Sequence, residues 1–159
     1  MTSTSSDYLT LGLHSQLKNE IVALQSFVTL LEKEQQALVS QDSEQLLTLA
    51  ESKTQAANEL SILTNIRRQQ LNLSKSESDT ATWIKQHAPA CNKAWNDIVE
   101  LATRAHHLNQ VNGEVIQLRL RSNQKALSVL LGAAQNAAGI YGRDGQPSLA
   151  VSGRTLGNV

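Results

Sequence analysis

The sequence predicts an all-α fold: an elongated antiparallel bundle of three long helices plus a short helix, followed by a flexible C-terminal tail. Three observations carry this expectation. Aromatic residues make up only 3% of the 159 residues, a composition suited to thin helical layers interlocked along Leu/Ala seams rather than to a thick core. Long stretches run without Pro and almost without Gly. Within them, apolar residues recur at alternating spacings of four and three, the signature of one helical face.

The first helix is expected over about 7–40. Leu17, Ile21, Leu24, Val28, Leu31, Gln35 and Leu38 form a heptad stripe with one polar break. "VSQDSEQLL" then punctuates the chain. Asp42 is placed to cap a second helix, with Gln45 at the capping-box position. That helix spans about 43–72, with Leu46, Leu49, Ala50, Lys53, Ala57, Leu60, Leu63 and Arg67 along one side. A connection of only a few residues makes the two helices antiparallel neighbours. Lys53 and Arg67 read as snorkelling side chains whose stems cover apolar surface; a buried pair or an interface charge is the alternative.

"NLSKSESDT" is a polar, Ser-rich linker. A short helix follows at about 80–88 and stops before Pro89, because the residue before a proline disfavours helical geometry. It is expected to set Trp83 and Ile84 over the end of the bundle. The third long helix covers about 90–138, and its stripe changes phase. One seam contains Trp95, Ile98, Ala102 and Ala105. Asn109, Asn112 and Gly113 interrupt it, and the interior glycine costs about 1 kcal/mol relative to Ala. A second seam runs through Ile116, Leu120, Leu127, Leu130 and Ala134. The first half therefore packs in the bundle and the second half faces something else. Residues 1–140 read as one helical domain and 141–159 as the tail.

Fourteen basic and fourteen acidic residues give a formal net charge of zero, so nucleic acid and anionic lipid are not expected partners. No apolar run approaches the roughly 18 residues of a membrane span. The opening "MTSTSSDYLTLGLHSQL" carries neither the basic nor the apolar region of a secretory signal. Cys91 is the only cysteine, which fits a reducing compartment. A soluble cytoplasmic protein is expected.

Catalytic and metal chemistry find little support. Adjacent His106 and His107 point about 100° apart on a helix and cannot share one metal. His87 and Cys91 have a two-ligand spacing, but Pro89 lies between them and no further ligand is near. Cys91 has no nucleophile signature, no Gly-x-Ser-x-Gly is present, and the carboxylates read as solvated. No cofactor, metal or enzymatic activity is expected. Arg119, Arg121 and Lys125 in "RLRSNQK" read as a solvated basic face. "GRDG" near the end lacks the Lys, strand and following helix of a phosphate loop, and reads as a turn that ends a helix.

What remains is apolar surface. Val129, Leu130, Leu131, Ala133, Ala134, Ala137, Ala138, Ile140 and Tyr141 cluster at the end of the third helix with few charges, the pattern of a docking surface or a dimer seam. Asn112 and Asn123, on or beside the stripe, either fix register or hydrogen-bond a partner's backbone.

Four stretches in order resemble a known family: "LLEKEQQALVSQDSEQLLTLAESKTQAANELSIL", "IRRQQL", "LNQVNGEVIQLRLRSNQKALSVLL" and "IYGRDGQ". From about Leu17 to Gln146 the layout resembles the FlgN-type flagellar type III export chaperones. The resemblance implies a small cytoplasmic helical protein that is not an enzyme. It would hold the aggregation-prone terminal helices of flagellar hook-associated (hook-filament junction) proteins and present them to the export apparatus. It implies partner binding towards the C-terminus, at Leu120, Leu127, Leu130, Leu131, Ile140 and Tyr141; Asn112, Ile116 and Asn123 join them from the stripe itself. The alternative is a structural coiled-coil adaptor or another secretion-associated helical protein that acts as a homo-oligomer.

Overall fold

The computed structural model describes the backbone of residues 3–72 and 77–140 and the side chains of residues 10–72 and 79–136. It is all-α, with no strand among the described residues. Helix α1 spans Ser3–Ser40, α2 Ser43–Gln70, α3 Glu77–His87 and α4 Asn92–Ile140, with one turn of 3-10 helix at Pro89–Cys91 before α4. The chain divides into two compact units, Met1–Ile116 and Gln117–Val159. The proposed tail, 141–159, lies outside the described residues.

In the first unit, a two-residue turn joins α1 to α2. Gln41 takes the left-handed conformation (φ 59°) that stops α1. The Asp42 amide then donates back to the Ala37 carbonyl at 3.1 Å, closing the helix end. The Asp42 carboxylate accepts from the Gln45 amide at 3.0 Å, so the residue after the stop caps the next helix, as its position in the sequence indicates. The hairpin this forms is antiparallel: Gln16 Nε2 donates to the Leu63 carbonyl, and Glu34 meets Lys53 nearer the turn. α4 returns parallel to α1. Cys91 Sγ, in the turn that leads into α4, lies against the Thr10 carbonyl, and Asn112 Nδ2 donates to the Leu31 carbonyl, two contacts to α1 at the same separation in sequence.

The main core gathers Leu13, Leu17 and Leu24 of α1, Leu71 after α2, Ile84 of α3, and Ala94, Trp95 and Ile98 of α4. Ile84 is fully buried and Trp83 is partly buried against the same cluster, so the short helix covers this end as expected. A smaller cluster of Val28, Leu31 and Ala105 continues the seam towards the hairpin turn.

Three details depart from the sequence reading. Arg67 is not a snorkelling side chain. It is buried, and its Nε donates to both carboxylate oxygens of Glu20, at 2.9 and 3.1 Å. Its Nη1 donates to Thr80 Oγ1 at 2.9 Å, and its guanidinium lies 4.7 Å from the centroid of the Trp95 ring. One cation thus ties α1, α3 and α4 to α2. Lys53 likewise ends on Glu34, at 3.0 and 3.1 Å. Glu20 and Glu34 are therefore buried members of the α1 stripe rather than solvated carboxylates. Burial pushes the Glu20 carboxyl above its ordinary range, and the facing Arg67 guanidinium offsets this only in part.

The second departure is on α2. Ala50 and Ala57 are exposed, and Ala56 is half-buried in place of Ala57. The third is on α4, whose inward stripe does not change phase. It continues as Ile98, Leu101, Ala105, Leu108, Asn112 and Val115 at alternating three and four, while Ala102 and Asn109 are exposed. Asn112 takes an apolar position in an unbroken seam, and the apparent phase shift arises from a separate exposed stripe that begins beside it.

Candidate functional site

Among the described side chains, Asn112 is the one sequence-selected site residue that is fully buried. Its Nδ2 donates to the Leu31 carbonyl at 2.9 Å and to Glu34 Oε2 at 2.8 Å. With Lys53 on the same carboxylate, residues from α1, α2 and α4 close one polar layer inside the first unit. Asn112 Oδ1 is buried and without a hydrogen-bond partner there, at a cost of roughly 1–3 kcal/mol. Of the two readings open for this side chain, the geometry is that of a residue that fixes helix pairing.

The histidine and thiol candidates separate. His87 Nδ1 lies 3.0 Å from the Trp83 carbonyl, and its ring stacks on the Trp83 ring at 4.8 Å. Cys91 is buried in the main core, where loss of solvation pushes its thiol pKa up and makes the reactive thiolate scarcer. No grouping of three or more potential metal ligands occurs among the described residues. No helix among them is long and apolar enough to cross a membrane.

The second unit is a different kind of surface. From Gln117 to Asn136 every residue is exposed except Arg119 and Gly132, which are half-buried. Ile116, the last residue of the first unit, is partly exposed. Leu120, Leu127, Leu130 and Leu131 are 56–67% exposed. At about 100° per residue they share one face with Asn123 and Ala134. Their spacing is that of a heptad seam, with Asn123 as its polar position. A shallow hollow of about 460 Å³ runs along Gln124, Leu127, Ser128, Leu131, Gly132 and Gln135. From Ala126 to Gly142 the sequence carries no charge at all. A helix face this apolar and this exposed has the chemistry of a docking surface, since none of the described residues of its own unit covers it. Of Ile140 only the helical backbone is described, and Tyr141 lies outside the described residues.

On this segment Leu118 escaped the sequence reading, and Val129, grouped there with the terminal apolar cluster, proves to lie on another face. Leu118 and Val129 are each 65% exposed and project from the side of α4 opposite the Leu120–Leu131 stripe. Helical phase could have separated them from that stripe, but composition alone could not.

Comparison with known proteins gives consistent results. The family model described as "FlgN protein" matches residues 10–148. Proteins named "Flagella synthesis protein FlgN" from Salmonella typhimurium (strain LT2) and from Salmonella typhi are each 30% identical to the chain over 132 residues, covering 82% of this chain and 86% of theirs. No solved structure matches.

Proposed function

The chain belongs to the FlgN family, and from that premise we propose that it is a cytoplasmic export chaperone acting in flagellar assembly. Its cargo is the aggregation-prone terminal helices of hook-associated proteins, which it delivers to the export apparatus without catalysing a reaction. Residues 1–140 act as the chaperone domain and 141–159 as its tail. The observation that carries this reading is the exposed stripe Leu120, Leu127, Leu130 and Leu131 on a helix whose remaining surface offers it no cover. An amphipathic helix with apolar residues at the same spacing fits such a face.

The energetics suit a carrier that must release its cargo. Fully burying a leucine is worth about 1.5–3 kcal/mol. The loss of free translation and rotation on association costs an estimated 4–15 kcal/mol. Four leucines against that cost leave a moderate net affinity, enough to hold a helix and let it go.

The test is co-purification of the full chain with a hook-associated protein. Replacing Leu120, Leu127 and Leu130 together by Ser removes binding while the helical circular dichroism stays unchanged. Retained binding would move the site elsewhere. A wild-type chain that sediments as a dimer at all concentrations, and becomes a monomer in the triple variant, would show that the stripe pairs copies of the chain instead.

A further inference from the structure

We propose that α4 carries a second docking face, opposite the Leu120–Leu131 stripe, and that its occupant is an amphipathic helix presenting two carboxylates between two apolar residues. Leu118, Arg121, Lys125 and Val129 lie within an arc of about 80° of the helix surface. The two apolar ends stand roughly 16 Å apart along the axis. All four side chains are exposed. Neither Arg121 nor Lys125 is in an ion pair among the described residues. The order is apolar, cation, cation, apolar.

Charge selects the occupant. No Asp or Glu occurs from Val115 to Gly142, whereas that stretch contains Arg119, Arg121 and Lys125. A second copy of this segment would bring cations against cations with no carboxylate to relieve them, in either orientation. Two cations without an interleaved aromatic ring are too few for nucleic acid, which needs a basic track and stacking platforms. They also fall short of the Lys/Arg-rich polar face of a helix that lies on anionic membranes. An acidic helix satisfies all four positions: its carboxylates meet Arg121 and Lys125, and its apolar residues cover Leu118 and Val129. Because cargo occupies the other side in the function proposed above, such a helix can be bound with cargo in place.

The probe is a synthetic amphipathic helix with two glutamates between two leucines on one face, against its counterpart with glutamines. Each is titrated by fluorescence anisotropy into the full-length chain. The glutamate peptide binds about three- to tenfold more tightly at low salt, the range expected of two exposed ion pairs. The preference shrinks at high salt. Arg121→Glu with Lys125→Glu abolishes it, Leu118→Ser with Val129→Ser weakens both peptides, and the Leu120/Leu127/Leu130 serine variant leaves the preference intact. Equal binding of the two peptides overturns the proposal, as does loss of the preference only in the stripe variant. Binding to vesicles containing anionic lipid in place of either peptide also overturns it, in favour of a membrane surface. None of these results bears on cargo, whose binding depends on the stripe and is read separately by co-purification.

Discussion

Arg67 meets three other helices with one side chain, so its removal strands more than its own charge. With Arg67→Met, the buried Glu20 carboxylate loses its partner, and stability falls by about 3–5 kcal/mol in urea unfolding. Glu20→Leu added to that variant recovers most of the loss, because the pair is then replaced by packing and no buried charge is left alone. The proton balance at Glu20 gives a second prediction. Its carboxyl is held above the ordinary value of 4.5 by burial, so the folded chain keeps a proton that the unfolded chain has released. The stabilisation from Glu20 is therefore full below the ordinary value and declines as pH rises through the raised one. In unfolding measured from acid to neutral pH, the wild type's stability relative to Glu20→Gln decreases along that window. A difference that grows with pH would show that Arg67, and not burial, governs the carboxyl. These residues mark a limit of sequence reading. Lys53 and Arg67 fall visibly on the α2 stripe, but a charge on a stripe has the same pattern whether it snorkels or pairs. Only the acidic partner on the facing helix separates the two outcomes.

At the scale of elements, the helices were legible, but the seams of α2 and α4 were so only in part. The stripe on α1, the Asp42 cap and the stop before Pro89 all follow from local chemistry, and the structure has each of them. The α4 stripe was misread because Ala102 and Asn109 are plausible neighbours of the true positions Leu101 and Leu108, and because Asn112 interrupts the apolar pattern without interrupting the packing. Gly113 beside it offers a clean test of helix propensity. A Cβ built there would meet nothing within 4 Å. Gly113→Ala therefore raises stability by about 1 kcal/mol, seen as a higher midpoint of thermal unfolding. A lower midpoint would mean that the glycine serves a close approach absent from the folded chain as described.

For the whole molecule, the last buried side chain among the described residues is Asn112, and the boundary between the two units follows at Ile116. Ending the chain at Ile116 thus removes no buried core residue among those described. The shortened protein unfolds in one cooperative transition with a midpoint within a few degrees of the full chain, and it no longer co-purifies with hook-associated protein. A non-cooperative transition would show that the second unit supports the core. The candidate face was legible as an excess of uncharged apolar residues with no partner left in the chain. The face carrying Leu118 and Val129 was not, since its cations mask it as an ordinary solvated surface until phase and exposure are both known.

The Glu20–Arg67 and Glu34–Lys53 ion pairs also act together as a parity check on the hairpin. Glu20 and Glu34 stand fourteen positions apart on α1, and so do Lys53 and Arg67 on α2. A leucine seam repeats every seven residues and would tolerate a slide of α2 by one repeat. Such a slide sets Glu20 against Leu60, Glu34 against Leu46, Lys53 against Phe27 and Arg67 against Leu13. All four charges lose their partners at once, and three of them, Glu20, Glu34 and Arg67, are buried, where an unpaired charge costs several kcal/mol. The apolar stripes make the hairpin stick, and the charges reject the near-identical wrong answer that the stripes alone would accept.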